Sequence, residues 1–290
     1  MNRLKLWAVT GVAGLATVLG SAMVSHAQQA VFPPTSTVSV ALTRMQSKNL
    51  RTREAGFDEL MTALASDEGG QAQPPDTAEV LTRFFSGHPS QAEQVKVGLI
   101  RLLEKENKTF ITDKSVPPGS YTEDDSEYYA SVIDAVSSLN DDRTIPALVG
   151  AMTTGGMAQR GLLKYGDKAL GPVLEQLKNP DALVRASALG MSITLLEARN
   201  DPESHKRTVD LIRSALADSA SVVRAHAVRE IGCLNERQEF VPTLENIAKT
   251  DPEKFPGKAL DGGDGEEFYP VRYDAQRVLR DIQSNKTCRP

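Results

Sequence analysis

The amino-acid sequence predicts an all-α protein whose helices pair into repeated hairpins. Only 5% of the 290 residues are aromatic, while Ala and Leu are abundant. Such a composition favours helices over an all-β sandwich. The second observation is a Val-Arg pair that recurs before small and apolar residues at helical spacing, as in VRASALG at 184–190 and VRAHAVREIG at 223–232. Recurrence of one helical pattern is typical of repeat proteins.

The chain opens with the layout of a secretory signal peptide over 1–27. Arg3 and Lys5 precede an uncharged apolar stretch, and small residues surround a cleavage position after Ala27. We expect cleavage there and a periplasmic or secreted protein. The alternative is an uncleaved membrane anchor, for which the apolar stretch is at the lower limit of length. A Pro-containing linker at 28–36 then leads to the first helix.

The charge balance bears on the class of partner. The chain has a formal net charge of −5, and loss of the signal peptide makes this about −7. Nucleic-acid binding needs clustered Lys and Arg on phosphates, so an acidic chain is a poor candidate for it. No second apolar run is long enough to span a bilayer, so we expect no membrane span after cleavage. We also expect a monomer without a cofactor.

The repeat is clearest when four segments are aligned on an arginine. These arginines are Arg53, Arg185, Arg224 and Arg272. A small residue follows at the third position, and mostly apolar residues follow at the seventh and tenth. They share one helix face, on which the small residues let a neighbouring helix approach. A Pro-x-Leu pattern marks the first turn of the preceding helix, as at Pro172, so the unit is helix, tight turn, helix.

The spacing of apolar residues predicts thirteen helices. They lie at 37–47, 50–66, 76–86, 89–106, 123–139, 141–153, 156–165, 167–178, 180–197, 203–217, 219–234, 236–249 and 269–284. The turn at 179–181 ends one helix and caps the next. In the ninth helix we expect Val184, Ala188 and Leu195 to face the core and Arg185 to pair along the stack.

Three of these segments resemble the HEAT-repeat superfamily. They are LKNPDALVRASALGMSITLL at 177–196, LADSASVVRAHAVREIGCL at 216–234 and YPVRYDAQRVLRDI at 269–282. The element from Asp181 to Arg185 is similar to the family's inter-helix turn, in which such charges form a ladder along the stack. The resemblance implies a structural arginine ladder, formed by Arg53, Arg185, Arg224 and Arg272.

The resemblance covers 37–284 and implies a right-handed α-solenoid of about six to seven HEAT-like helical hairpins. The repeats are weak over 37–139 and clear over 140–284, and 285–290 forms a C-terminal tail. Members of this superfamily bind proteins, usually through a concave face. The resemblance therefore implies a non-catalytic exported scaffold that contacts an unidentified protein partner through its solenoid surface.

Three segments interrupt the period, namely 66–75, 107–122 and 251–268. In a solenoid such inserts emerge at the edges, where function concentrates. The last insert holds four carboxylates among glycines, and these are candidate Ca²⁺ ligands. They are Asp261, Asp264, Glu266 and Glu267. Their spacing differs from that of an EF-hand, and the alternative is a flexible acidic loop that favours the following helix N-terminus.

Aromatic residues gather in and beside the two longer inserts. The candidates for partner contacts are Tyr121, Tyr128, Tyr129, Phe255, Phe268 and Tyr269. They could line a binding groove, because aromatic side chains are favoured at interfaces. They could equally pin the inserts onto the solenoid, and the sequence leaves both interpretations open.

Cys233 and Cys288 are the only cysteines in the sequence. In an oxidising compartment an even pair indicates a disulfide, the alternative being two thiols. Cys233 ends the second helix of one hairpin, and Cys288 follows the second helix of the next. Because such helices run roughly parallel, their C-terminal ends are neighbours. We therefore predict a disulfide between them that closes the end of the array.

The sequence contains no recognisable catalytic motif. After signal cleavage three histidines remain, His88, His205 and His226, far apart in sequence. There is no His-Glu-x-x-His, Cys-x-x-Cys or Gly-x-Ser-x-Gly, and no phosphate-binding glycine loop. We therefore expect no enzyme activity. Two alternatives stay open, namely an enzyme or enzyme-accessory protein of the HEAT-like lyase type and a Ca²⁺-dependent envelope module.

Overall fold

Thirteen α-helices account for most of residues 35–65, 76–112, 120–255 and 267–286, the ranges that the computed structural model describes. They are α1 Thr35–Met45, α2 Leu50–Ala65, α3 Thr77–Gly87, α4 Pro89–Asn107, α5 Glu123–Ser137, α6 Ile145–Ala151, α7 Gly156–Leu163, α8 Asp167–Glu175, α9 Ala182–Glu197, α10 Pro202–Ala215, α11 Ser221–Ile231, α12 Val241–Thr250 and α13 Pro270–Gln283. The extended pairing within these ranges is one isolated bridge, between Phe255 and Phe268. The predicted all-α class is thus confirmed for the described chain. None of these helices is long and apolar enough to cross a membrane.

Local sequence signals explain where several helices begin. Asp76, Asp181 and Asp201 each accept a hydrogen bond from a backbone N–H of the first turn. Thr122 and Asp125 form a reciprocal capping box at the start of α5. Proline occupies the first turn of α4, α6, α10, α12 and α13, where a missing N–H costs no hydrogen bond. Pro172, which was expected in a first turn, instead lies inside α8. The hydrogen bond that Asp181 accepts confirms the predicted cap of α9.

Helices of the C-terminal half pack as pairs. α8 packs on α9, α10 on α11 and α12 on α13, while α9 also contacts α11, and α11 contacts α13. The small residue three positions after each ladder arginine is buried, as Gly56, Ala188, Ala227 and Ala275 show. Ala188 and Leu195 face the core as predicted. Small side chains therefore lie where neighbouring helices meet.

Helix α1 packs directly against the backbone of α2 at Gly56. A Cβ atom on this residue would lie 2.7 Å from Cβ of Arg44 and 2.8 Å from the backbone nitrogen of Met45. Non-bonded atoms do not pack at such distances, so glycine alone fits without movement of a helix. The missing side chain thus sets the spacing of these two helices.

Two clusters of buried apolar side chains form the core, and they meet at α9. The first extends from α1 to α9 and includes Leu99 and Leu195. The second joins α9 to α13 and includes Ile193 and Ile231. All described residues belong to one compact unit, Pro33–Pro290. The two faces of α9 therefore link the N-terminal and C-terminal parts of this unit.

The predicted helix at 141–153 is divided into three parts. Two 3₁₀ turns, Asp142–Thr144 and Met152–Thr154, flank the short helix α6. Pro146 occupies the first turn of α6, and Gly155, with a φ of 95°, ends the segment. Proline and glycine thus impose boundaries that the apolar period alone did not reveal.

A π-helical turn at Lys108–Thr112 extends α4 into the segment where the sequence predicted an irregular insert. Arg53 donates to the hydroxyl of Thr109 at 3.1 Å, and the hydroxyl of Tyr121 donates to the Thr109 carbonyl at 2.7 Å. The ring of Phe110 packs 4.6 Å from that of Tyr121. These contacts come from distant residues, so the local sequence did not indicate the wider turn.

Candidate functional site

Successive hairpins are joined by a chain of arginine–aspartate contacts. Nε and Nη2 of Arg185 bind the carboxylate oxygens of Asp218 at 2.9 and 2.7 Å. The same atoms of Arg224 bind Asp251 at 2.8 and 3.0 Å. Arg272 then donates to the carbonyl of Asp251 at 2.6 Å. Paired charge-assisted hydrogen bonds combine strength with a fixed geometry, so this chain holds α9, α11 and α13 in register.

Arg185 and Arg224 also bind the turns that precede their own helices. Nη1 of Arg185 donates to the carbonyls five and six residues earlier, at 3.1 and 2.9 Å. Nη1 of Arg224 donates to the equivalent pair at 3.0 and 2.9 Å. Asp218 is consequently bound twice, its carboxylate by Arg185 and its carbonyl by Arg224. One guanidinium thus closes a turn and bridges to the next hairpin.

The aspartates that bind Arg185 and Arg224 were not identified from the sequence. Asp181, which the resemblance grouped with Arg185 in the ladder, caps α9, as the turn pattern also predicted. The partner is Asp218 of the following hairpin, 33 residues further along the chain. The available signal was the position of Asp218, six residues before Arg224. For Asp251 the last insert separates the aspartate from its own arginine and conceals that spacing.

The two aspartates have lowered pKa values. Hydrogen bonds from Arg185 hold the pKa of Asp218 below its ordinary value. Burial opposes this effect at Asp251, yet hydrogen bonds from Arg224 and the backbone N–H of Glu253 leave its pKa lowered as well. Both carboxylates are therefore charged at neutral pH, as an ion pair requires.

In the N-terminal half, Arg53 makes a related contact that is more deeply buried. Its Nε and Nη2 bind Glu106 of α4 at 2.5 and 2.7 Å, and its Nη1 donates to the carbonyls five and six residues earlier. The hydroxyl of Tyr128 donates to the same carboxylate at 2.8 Å. Hydrogen bonds with Glu106 raise the pKa of Arg53, while burial and the charge of Glu106 raise that of Tyr128. The phenol therefore keeps its proton and acts as a donor.

Tyr128 and Tyr129 pin α5 to the helices beside it. Each is only 6% exposed, which favours the interpretation that these two rings pin the segment rather than contact a partner. The hydroxyl of Tyr129 donates to Oδ1 of Asn107 at 2.6 Å, and Nδ2 of Asn107 donates to the carbonyl of Ala147 at 2.8 Å. These hydrogen bonds pair the buried polar atoms and join α4, α5 and α6.

A groove lies between α5 and α7, beside the π-helical turn. Its volume is about 600 Å³. The rings of Phe110, Tyr121 and Tyr129 form one wall, and α7 contributes Met157 and Arg160 to the other. Tyr121, a candidate from the sequence, is half-buried in this wall. We refer to this feature as the α5–α7 groove.

A second aromatic feature lies at the base of the last insert. Phe255, Phe268 and Tyr273, which we call the exposed aromatic cluster, are 50%, 47% and 51% exposed. The backbones of Phe255 and Phe268 exchange hydrogen bonds of 2.8 and 3.1 Å, and the rings of Phe268 and Tyr273 are 5.8 Å apart. The guanidinium of Arg272 instead lies over the ring of Tyr269, with its Cζ atom 4.0 Å from the ring centroid.

Three of the four candidate Ca²⁺ ligands, Asp261, Asp264 and Glu266, lie outside the described residues. Glu267 is described, and it binds Nζ of Lys254 at 2.6 Å and accepts a hydrogen bond from Tyr269. No group of three or more His, Cys, Asp or Glu side chains is placed to hold a metal ion in the ranges that the structure covers. The calcium site stays a prediction.

The predicted disulfide also falls partly outside the described residues. Cys233 lies just after α11, whereas Cys288 is not among the residues described. Arg237 donates to the carbonyls of Gly232 and Lys286 at 3.2 and 2.6 Å. The backbone beside Cys233 and the end of the described tail therefore meet at one side chain. The pairing itself stays a prediction.

The three histidines make separate contacts. His88 stacks on an aromatic ring of α3, with centroids 4.6 Å apart. The Nε2 atom of His205 lies 2.9 Å from Glu236, and its Nδ1 atom lies 3.1 Å from Glu197. Hydrogen bonds to Glu236 and then Glu197 raise the pKa of His205. His226 lies on α11 against α9. Within the described chain, each histidine therefore contacts a different set of residues.

No protein-family model, curated protein or solved structure matches this chain. The described side chains nevertheless fall into two groups, those that join helices and those that line open surfaces. The four ladder arginines are engaged in contacts between helices and turns. The α5–α7 groove and the exposed aromatic cluster are two surfaces open to a ligand or a partner.

Proposed function

We propose that this chain is an exported α-solenoid of HEAT-like hairpins that binds another protein without catalysing a reaction. The observation that carries the proposal is the chain of contacts from Arg185 through Asp218, Arg224 and Asp251 to Arg272. Equivalent contacts between successive hairpins need an equivalent placement of each hairpin on the previous one. That is the arrangement of a solenoid, and solenoids use extended surfaces for binding.

Export is supported by the composition of the N-terminal segment, which has the order of a signal peptide. We therefore place the mature protein, beginning at Gln28, in the periplasm or outside the cell.

The exposed aromatic cluster is the proposed contact surface for the protein partner. Large aromatic side chains that stay half-exposed cost solvation free energy, which burial against a partner recovers. The rings of Phe268 and Tyr273 lie together at the start of α13, so the two can contribute to one contact. Aromatic residues also supply much of the binding free energy of interfaces.

The enzyme and calcium alternatives have less support from the described residues. The three histidines contact different partners, and none of them is brought to a described nucleophile. The calcium alternative depends mainly on residues outside the described ranges. We therefore treat both as outcomes of the experiment below.

The test is a cross-linked pull-down from the native envelope fraction, with the chain from Gln28 onward as bait. We expect wild type to capture one reproducible protein. Phe268→Ser and Tyr273→Ser should each reduce its recovery, because they remove apolar area from the contact. The matched control is Leu183→Ser, since Leu183 is 61% exposed at the start of α9, away from the cluster.

Capture by both cluster variants at the wild-type level would contradict the proposed surface, and absence of any partner would contradict the scaffold function. Recovery only in the presence of Ca²⁺ would favour the envelope-module alternative. Circular dichroism of each variant separates lost binding from lost folding, and all three replaced side chains are exposed enough that we expect unchanged spectra.

A further inference from the structure

We infer that the α5–α7 groove binds a small ligand with a flat apolar body and one carboxylate. This inference is independent of the protein partner, because the groove and the exposed aromatic cluster are formed by different helices. It rests on three features of the groove, which are its ordered aromatic wall, its apolar base and the arginine at its rim.

The aromatic wall is fixed before any ligand arrives. The ring of Phe110 stacks on that of Tyr129, with centroids 4.7 Å apart and an angle of 11°. The ring of Tyr121 also packs against Phe110, with centroids 4.6 Å apart. The hydroxyl groups of both tyrosines are already bonded, to Asn107 and to the carbonyl of Thr109. A wall that needs no reordering favours binding of a flat apolar group.

The base and the opposite side are mostly apolar or small. Ala130 and Ile133 of α5 face Gly156 and Met157 of α7, and Met157 is 39% exposed. A volume of about 600 Å³ lies within the range of small-molecule sites. The groove between α1 and α4 has a similar volume of about 580 Å³, but no aromatic residue lines it and Glu93 adds a carboxylate.

The charge at the rim selects a carboxylate. Arg160 lines the groove and is exposed, and its Nη1 lies 3.0 Å from the place that a Cβ on Gly156 would take. None of the described lining residues is acidic, and within the described ranges no carboxylate pairs with Arg160. The ladder arginines, by contrast, are occupied. A guanidinium beside an apolar groove is suited to a ligand carboxylate.

The probes are naphthylacetate and its neutral amide, titrated by isothermal calorimetry into the chain from Gln28 onward. They share a ring system and differ in charge. We expect wild type to bind the acid about fivefold more tightly than the amide, as one partly exposed ion pair allows. Arg160→Gln should abolish that preference, while Ala130→Phe should weaken both probes by at least about tenfold by filling the groove.

Arg101→Gln is the matched control, because Arg101 is also exposed but lines the groove between α1 and α4. We expect it to bind both probes as wild type does. The inference is overturned if wild type binds neither probe, if acid and amide bind equally, or if Ala130→Phe binds like wild type. Thermal melting of each variant confirms folding, and the exposed Arg160→Gln change gives a result even if Ala130→Phe is destabilised.

Discussion

At the residue scale, Arg224 lies at the centre of the ladder. Its side chain is 12% exposed and that of its partner Asp251 is 5% exposed. Loss of the guanidinium leaves a buried carboxylate unpaired, so Arg224→Met should lower the free energy of unfolding by about 2 to 4 kcal/mol. Arg224→Lys should recover only part of this loss, because an ammonium cannot bind both oxygens in one plane. Urea denaturation followed by circular dichroism measures both.

An ion pair of an exposed arginine on the next hairpin supplies the control. Arg277 is 46% exposed and lies 3.3 Å from Asp274, which keeps a second partner because Arg229 binds it at 2.7 Å. Such a surface pair contributes less than about 1 kcal/mol, so Arg277→Met should change the unfolding free energy little. Equal losses in Arg277→Met and Arg224→Met would show that the ladder position has no special structural role.

At the scale of elements, the sequence predicted what depends on local pattern. Apolar periodicity and caps lie within one helix, which is why α9 and its Asp181 cap could be placed from the sequence. The burial of Tyr128 depends on Glu106 and Arg53, and the latter two are 53 residues apart. Such tertiary contacts leave no local signature, so the sequence indicated neither these partners of Tyr128 nor the π-helical turn.

The same difference between local pattern and tertiary contacts applies to the candidate sites. The arginines of the ladder could be found because they repeat, whereas their carboxylate partners come from other hairpins. The α5–α7 groove joins Phe110, Tyr129 and Arg160 from three segments of the chain. Only Tyr129 of these was a candidate from the sequence, either as a partner contact or as a residue that pins the insert. Nothing in local spacing indicated that Arg160 lies beside an aromatic wall.

The pairing of α1 with α2 gives a prediction at the element scale. Gly56→Ala adds a methyl group 2.7 Å from Cβ of Arg44, against a backbone that cannot yield locally. The gain in helix propensity is about 1 kcal/mol, and overpacking costs about 1 to 3 kcal/mol. We therefore expect a net destabilisation in thermal and urea unfolding. Thr62→Ala, at an exposed position of α2, should be neutral or slightly stabilising, and a stabilised Gly56→Ala variant would contradict the close approach.

At the scale of the whole molecule, cohesion of the C-terminal hairpins combines two kinds of interaction. The second apolar cluster joins α9 to α13 through side chains such as Ile193 and Ile231. The ladder crosses the same helices at their N-terminal ends, where Asp218 and Asp251 receive guanidinium groups. Apolar burial does not depend on pH, but the ladder does, so acid should separate the two contributions.

The lowered pKa values of Asp218 and Asp251 determine the sign of this acid effect. A carboxyl group whose pKa is lower in the folded state stabilises fully above its unfolded pKa of about 4, and that stability is lost as pH falls through the folded pKa. Asp218→Asn removes one such group. The difference in unfolding free energy between wild type and Asp218→Asn should therefore be largest near neutral pH and shrink below about pH 4. Urea titrations across this range measure it, with the exposed Asp210→Asn as control. A difference that stays constant with pH would mean that Asp218 stabilises the chain by packing rather than by its charge.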